Sequence, residues 1–225
     1  MSSSSLEILF EDNHLLAVNK PAGLATMGVA TGETSLVVLA KQYIKRRYQK
    51  PGNVYLGVVS RLDTATSGVV ILARTSKAAA RLTEQFRTRT VQKTYWAIVS
   101  GAIEPAAAEF VDWVIKDEAH ERMAIVEAEL SGAKEARLRY RLMRAVSGGS
   151  LLEIDLLTGR KHQIRLQLAA RGFPVWGEWK YAQARPFGNG LALHARRLVL
   201  EHPVRKTPLD LVARLPAAWR SLGLE

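Results

Sequence analysis

The sequence predicts an α+β fold with a large, mostly antiparallel mixed β-sheet flanked by helices and loops. Short runs with strand character recur along the chain, and hairpin signals join several of them. Segments with helical spacing are few, and strands and helices do not alternate regularly as in βαβ folds. The 225 residues, 48% of them hydrophobic, can bury a core, and we expect residues 1–225 to form a single domain.

The first third of the chain predicts a hairpin, a helix and a buried strand. Apolar runs at residues 6–10 and 14–18 flank Glu-Asp-Asn and predict the hairpin. Residues 34–49 carry apolar side chains at helical spacing and are followed by Pro-Gly, which ends a helix. Residues 54–59 predict a strand that enters a polar loop, and the apolar run at 69–73 predicts a buried strand.

The rest of the chain predicts further strands and three helices. Thr75 or Ser76 can cap a helix that ends near residue 86, and Thr158 can cap a helix over residues 160–171. A short terminal helix is expected at 216–222, and Ser-Gly-Gly-Ser at 147–150 predicts a hairpin turn. Apolar alternation predicts strands at residues 91–99, 110–115, 134–145, 151–156 and 191–200.

The charge balance is the first indication of function. The chain has 32 Lys and Arg against 21 Asp and Glu, a net charge of +11, which favours nucleic acid as a partner. On charge alone, a basic protein without such a partner remains open. No apolar run is long enough for a membrane span and no basic amphipathic anchor stands out, so no membrane partner is expected. The absence of cysteine excludes thiolate nucleophiles and cysteine-based zinc sites, and suits a cytoplasmic protein.

The loop at residues 60–68 is the first candidate for chemistry. It reads Ser-Arg-Leu-Asp-Thr-Ala-Thr-Ser-Gly and links two apolar segments. Its Thr, Ser and Gly residues favour a tight turn that would hold Asp63 rigidly, as a nucleophile or general base requires. From spacing alone, a structural role for Asp63 in closing the turn is the stronger interpretation.

Residues 157–168 form the second candidate. On the predicted helix, Lys161, His162 and Arg165 would share one face and cradle a phosphate or pair with a carboxylate. His162 taken alone is more often a structural hydrogen-bonding residue. No second His or carboxylate stands at metal-ligand spacing, so no metal site is expected.

A third segment, residues 91–99, carries two aromatic side chains that a strand would point to opposite faces, Tyr95 and Trp96. One of them can stack on an RNA base, as aromatic residues do in single-stranded RNA recognition. Without further information, a position in the core is the favoured interpretation for both.

Together, these segments resemble the RluA-type RNA pseudouridine synthases. The loop of that family, His-Arg-Leu-Asp, two variable residues and Thr-Ser-Gly, matches residues 60–68 except that Ser60 replaces His. Its Lys-Thr-Tyr strand matches residues 93–95, and its Thr-Gly-Arg-Thr-His-Gln-Ile-Arg segment matches residues 158–165 with Lys161 in place of Thr. Glu178, where the family often has Asp, and Ala182, where it often has Gly, are further departures; weaker matches lie at residues 18–23, 193–195 and 202–203.

The resemblance implies a pseudouridine synthase fold with a central active-site cleft, and a single catalytic domain that isomerises uridine in rRNA or tRNA. Asp63 would be the required carboxylate, Tyr95 would pack against the target uracil, and Arg165 would form an ion pair with Asp63. RNA contacts are expected from Arg61, which would help to fill the place of the flipped uridine, and from Arg160, Lys161 and His162. We expect the short form of the family, without the N-terminal RNA-binding domain, acting as a monomer with RNA as its partner. Because the isomerisation is redox-neutral, no cofactor and no metal are expected.

Two other functions remain to be weighed. A catalytically inactive RNA-binding protein on the same fold is favoured by Ser60, whereas the presence of Asp63, Tyr95 and Arg165 together argues against it. A glycoside hydrolase usually needs two cooperating carboxylates. Beside Asp63, the other acids considered, Glu84 and Glu153, have no supporting context.

Overall fold

The computed structural model describes residues 6–30, 32–220 and 222–224. Its helices are α1 (Leu36–Arg47), α2 (Ser76–Arg87), α3 (Gln163–Ala169) and α4 (Ala217–Arg220). Its strands are β1 (Glu7–Glu11), β2 (Leu15–Lys20), β3 (Gly57–Val58), β4 (Ser67–Ala73), β5 (Gln92–Ser100), β6 (Ala107–Asp117), β7 (Arg122–Val126), β8 (Lys134–Val146), β9 (Gly149–Leu156), β10 (Leu193–Glu201) and β11 (Pro208–Val212).

The chain divides into two compact units. The first contains the residues up to Val91 together with Ala195–Pro216, and the second contains Gln92–His194 and Ala217–Leu224. The expectation that residues 1–225 act as a single domain stays a prediction.

The first unit is built around β2 and β4, which are covered on both faces. β2 pairs antiparallel with β1 and with β4. Because successive strand residues point to opposite faces, odd-numbered residues such as Leu15 and Ile71 pack with α2, β10 and β11. Even-numbered residues such as Leu16 and Leu72 pack with α1. All seven residues of β4 are therefore buried, which explains its continuously apolar sequence.

The two helices of this unit begin at side-chain caps. Ser35 and Thr75 have extended backbones, and their hydroxyls accept hydrogen bonds from the main-chain N–H groups of Val38 and Ala78. The predicted helices at residues 34–49 and 75–86 are confirmed to within two residues at each end.

The second unit is an antiparallel sheet in which β5, β9, β8, β6 and β7 are neighbours in that order. The hairpin predicted between β8 and β9 is confirmed, and Gly148 takes the left-handed backbone (φ 83°) that the turn needs. Helix α3 packs on this sheet through Leu166, which lies in one cluster with Val114 and Ala136.

The α+β class with antiparallel pairing is confirmed, but several boundaries differ from the predictions. The strand predicted at residues 54–59 is reduced to β3, and β7 and β11 are strands that were not predicted. The helix predicted at 160–171 is wrong at its start, because α3 begins at Gln163. None of the described helices has the length and apolar composition that a membrane span requires.

Candidate active site

The turn that carries Asp63 is closed by main-chain and threonine groups. The carbonyl of Asp63 accepts a hydrogen bond from the Thr66 N–H at 3.0 Å. The Thr26 hydroxyl, from the segment between β2 and α1, donates to the carbonyl of Leu62 at 2.9 Å and accepts from the Leu62 N–H at 3.2 Å. These bonds engage the main-chain groups of Asp63 and Leu62.

A buried lysine ammonium supports the same turn. Lys20 is fully buried (0% exposed), and its Nζ donates to the carbonyl oxygens of Leu24 at 2.7 Å, Pro21 at 2.9 Å and Thr64 at 3.3 Å. Burial lowers the pKa of Lys20 to about 8, and attraction to the carboxylate of Asp63 opposes this shift. Lys20 was not among the predicted site residues, although its place between an apolar strand and Pro-Ala-Gly was a signal.

The end of the turn requires glycine. Gly68 has a φ of 118°, and a Cβ added there would lie 2.3 Å from the carbonyl oxygen of Ala195. β4 therefore passes this close to the main chain of β10 because Gly68 has no side chain. Of the other residues in the loop, Ser60 is half-buried and Arg61 is exposed, and nothing described around Ser60 explains its difference from the family His.

In the second unit, Arg165 and Glu178 form a buried ion pair. Arg165 is held bidentately: its Nε donates to Oε2 of Glu178 at 2.7 Å, and its Nη2 donates to Oε1 at 2.8 Å. The two side chains are 4% and 0% exposed. Burial alone would raise the pKa of the Glu178 carboxyl, but the hydrogen bonds and charge of Arg165, together with the main-chain hydrogen bonds of Lys180 and Tyr181, outweigh it, so the pKa is lowered. The ion pair predicted between Arg165 and Asp63 stays a prediction.

Two aromatic rings flank the guanidinium of Arg165. Its central carbon lies 5.1 Å from the ring centre of Trp179 and 5.6 Å from that of Tyr181, within the range of cation–π contacts. The hydroxyl of Tyr181 accepts the N–H of Met123 at 3.2 Å. The guanidinium is thus fixed in both position and plane.

The segment before α3 is a loop and not the first turn of a helix. His162 has a left-handed backbone (φ 54°), and Oε1 of Gln163 accepts hydrogen bonds from the Thr158 hydroxyl at 2.7 Å and the Arg160 N–H at 3.0 Å. Thr158 is therefore not a helix cap. The prediction that Lys161 shares a helical face with His162 and Arg165 is wrong, because Lys161 and His162 precede the helix.

The three predicted RNA-binding residues of this loop have different surroundings. Arg160 is half-buried and its Nε donates to the carbonyl of Glu135 at 2.8 Å. Lys161 is exposed. Nδ1 of His162 lies 2.8 Å from the hydroxyl of Tyr181, the kind of structural hydrogen bond expected of this histidine taken alone. Their contacts with RNA stay predictions.

Tyr95 and Trp96 are consecutive residues of β5, and they pair with Ile154 and Glu153 of β9, respectively. Both are half-buried, so neither is fully enclosed in the core as the favoured interpretation had it. The indole Nε1 of Trp96 donates to Glu153 at 3.3 Å, and Glu153 also accepts a hydrogen bond from Arg141.

Asp63 and Arg61 belong to the first unit; the other predicted site residues, Tyr95, Arg160, Lys161, His162 and Arg165, belong to the second. The described residues contain no cluster of three or more His, Asp or Glu side chains placed to hold a metal ion.

Comparison with known proteins identifies the family. The sequence model of the RNA pseudouridylate synthases matches residues 14–170. The chain belongs to the RNA pseudouridylate synthase family. Members of this family are isomerases that act on RNA.

Two curated members of the RNA pseudouridylate synthase family align with nearly the whole chain. An uncharacterized RNA pseudouridine synthase of Bacillus subtilis is 34% identical over 96% of this chain and 71% of its own length. The ribosomal large subunit pseudouridine synthase D of Zymomonas mobilis is 32% identical over 94% and 69%. Among solved structures, human RNA pseudouridylate synthase domain containing 4 is 27% identical, with a TM-score of 0.80 over 97% of this chain and 94% of that one. The predicted family and fold are thus confirmed.

Proposed function

We propose that this pseudouridine synthase isomerises uridine within ribosomal or transfer RNA, with Asp63 as the carboxylate that the reaction requires. The observation that carries the proposal is the match to pseudouridine synthases over nearly the whole chain, which includes the Asp63 loop. The turn geometry supports it, because main-chain and threonine hydrogen bonds and the buried ammonium of Lys20 hold the loop that carries Asp63. A relative that acts on the ribosomal large subunit supports rRNA as the first substrate to test.

The chemistry that we propose is redox-neutral. The bond between N1 of uracil and C1′ of the ribose breaks, the uracil rotates, and C5 bonds to C1′; C5 then loses its proton and N1 gains one. Asp63 is the carboxylate that these reaction steps require. Tyr95 packs against the uracil and relays the C5 proton, directly or through water, so that its hydroxyl passes one proton on as it accepts another.

Arg165 is proposed as the partner that orients Asp63. A guanidinium has five N–H donors in a planar fork. Glu178 engages the Nε and Nη2 groups and so fixes the plane of the fork. We assign Asp63 as a further acceptor of this guanidinium, whose charge-assisted hydrogen bonds would orient the carboxylate.

The net charge of +11 supports RNA as the partner. To reach the active site, the target uridine has to leave its stack, which costs a few kcal/mol. Arg61 is proposed to fill the vacated place, and Arg160, Lys161 and His162 are proposed to contact the RNA. A protein that modifies rRNA or tRNA in this way would act in the cytoplasm.

Tritium release tests the reaction. rRNA and tRNA labelled with tritium at C5 of uridine, from cells that lack the gene, are incubated with the protein, and the label released to water is counted. We expect release by the wild-type protein. If RNA binds but neither pool releases tritium, the enzyme proposal is refuted in favour of an inactive RNA-binding protein.

The role of Asp63 is tested in the same assay. Asp63→Asn should abolish release while RNA affinity stays within about threefold of wild type, since the two side chains have nearly the same shape. Asp210→Asn makes the same chemical change in an exposed ion pair with Arg197 and should leave release unchanged. Wild-type activity of Asp63→Asn would show that the catalytic assignment is wrong.

A further inference from the structure

Trp179 is exposed to an unusual degree for an indole. At 62% exposure, it is the most exposed large hydrophobic side chain of the described residues. The chain has five tryptophans; Trp176 and Trp219 are buried, and Trp96 and Trp113 are half-buried. Burial of an indole lowers the free energy of the system. The exposure of Trp179 therefore indicates a surface on which a partner binds.

The segment that presents Trp179 is held in one conformation. The main-chain N–H groups of Trp179, Lys180 and Tyr181 all donate to Oε1 of Glu178, at 3.1, 2.8 and 3.2 Å. Gly177, one residue earlier, has a φ of 84°, and a Cβ there would lie 2.2 Å from the carbonyl oxygen of Gly190. Little conformational entropy would therefore be lost when a ligand binds to this segment.

A buried cation lies against the ring. The guanidinium of Arg165 is 5.1 Å from the indole centre, and it also makes a cation–π contact with Tyr181. The indole is thus oriented by a residue that the proposed function places next to the reacting carboxylate. A flat, rigid, cation-backed aromatic surface on a protein of net charge +11 has the chemistry of sites that stack nucleobases.

We propose that Trp179 is a stacking platform for a base of the RNA substrate, and that Arg165 sets its orientation. This inference rests on the proposed function in that it takes RNA as the substrate. Trp179 acts as a positioning residue: it holds the RNA and takes no part in the bonds that break and form. Loss of one stacking contact lowers affinity on the order of tenfold.

The test compares Trp179→Ala with Trp179→Phe, because phenylalanine keeps a stacking surface. Affinity for a dye-labelled, single-stranded RNA that contains uridine is measured by fluorescence anisotropy, and KM and kcat are measured by tritium release. We expect Trp179→Ala to raise Kd and KM about tenfold with kcat changed less than about threefold, and Trp179→Phe to restore most of the affinity. Tyr48→Ala is the matched control, since Tyr48 is also an exposed aromatic on an arginine, Arg74, and should leave Kd and KM unchanged.

The results would differ if Trp179 only shielded Arg165 from solvent and did not contact RNA. In that case Trp179→Ala would lower kcat or thermal stability while Kd for RNA stayed at the wild-type value, and this result overturns the proposal. If Trp179→Ala does not fold, the fluorescence of the wild-type protein still decides: RNA should quench the exposed indole, and Trp179→Phe should remove most of that quenching. Equal quenching in both proteins also overturns it.

The outcomes separate this inference from the proposed function. If RNA affinity depends on Trp179 but the protein releases no tritium, the stacking platform is supported and the isomerase proposal is refuted. Full tritium release by Trp179→Ala with wild-type KM would leave the isomerase standing and refute the platform. An indole that binds a protein partner instead would also leave the RNA affinity of Trp179→Ala unchanged.

Discussion

Replacing Glu178 by glutamine should destabilise the protein strongly. Glu178 accepts two hydrogen bonds from Arg165 and three from main-chain N–H groups, and its side chain is 0% exposed. Glu178→Gln would remove the carboxylate charge that pairs with the buried guanidinium of Arg165, and would set an NH2 group against N–H donors of Arg165 or of the main chain. Removal of one partner of a buried pair costs about 3–5 kcal/mol.

Urea unfolding followed by circular dichroism measures this loss. We expect a lower midpoint with an unchanged slope, since the surface exposed on unfolding is nearly the same. In a protein of this size, 3 kcal/mol corresponds to a fall in melting temperature on the order of 10 °C. Asp210→Asn breaks an exposed pair with Arg197, whose side chains are 49% and 47% exposed, and should cost less than about 1 kcal/mol.

Glu178→Asp keeps the charge and should cost less than half as much as Glu178→Gln. An aspartate can still accept main-chain N–H bonds from the residues that follow it, and the family often has Asp here. A loss below about 1 kcal/mol for Glu178→Gln, no larger than that of the surface control, would refute the reasoning.

Three further changes have defined outcomes. The pKa of Lys20 is lowered from 10.5 to about 8, so between these pH values the unfolded state holds this proton and the folded state does not. As the pH rises through this range, the free energy of unfolding of wild type should rise relative to that of Lys20→Met by up to about 3 kcal/mol. Parallel curves of unfolding free energy against pH for the two proteins would contradict this prediction. Gly68→Ala should lower the free energy of unfolding, measured in urea, by at least about 2 kcal/mol, because its Cβ would clash with the main chain of Ala195. Gly52→Ala, whose Cβ would have no atom within 4 Å, should lower it little. Equal losses for the two variants would argue against the clash. Lys161→Ala should weaken RNA binding and reduce the salt slope of log affinity by about 0.7–0.9, and an unchanged slope would exclude a phosphate contact.

The family could be recognised from short motifs because they carry the local chemistry. Residues 60–68, 93–95 and 158–165 stand in order along the chain, and the family assignment rests on the same region. The roles of Asp63, Tyr95 and Arg165 come from that resemblance and await the experiments above.

Most of the helices and strands could be predicted because their signals are local. Apolar alternation and hydroxyl caps act over two to four residues, so the hairpin at β1 and β2, helices α1 and α2, and β4 were all predicted. The helix prediction was wrong for residues 160–162, whose sequence pattern is helical. The side chain of Gln163 accepts hydrogen bonds from Thr158 and Arg160, and these bonds hold the segment in a loop.

The surroundings of the candidate site residues depend on contacts between residues far apart in the chain. Glu178 is thirteen residues from Arg165 and Lys20 is forty-four from Thr64, yet each pair is in hydrogen-bonding contact. No local pattern encodes such pairs, because their partners are chosen by the packing of the sheet and not by spacing along the chain. The exposure of Trp179 has the same origin: an indole reads as a core residue in sequence, and here the folded turn at Glu178 holds it in the solvent.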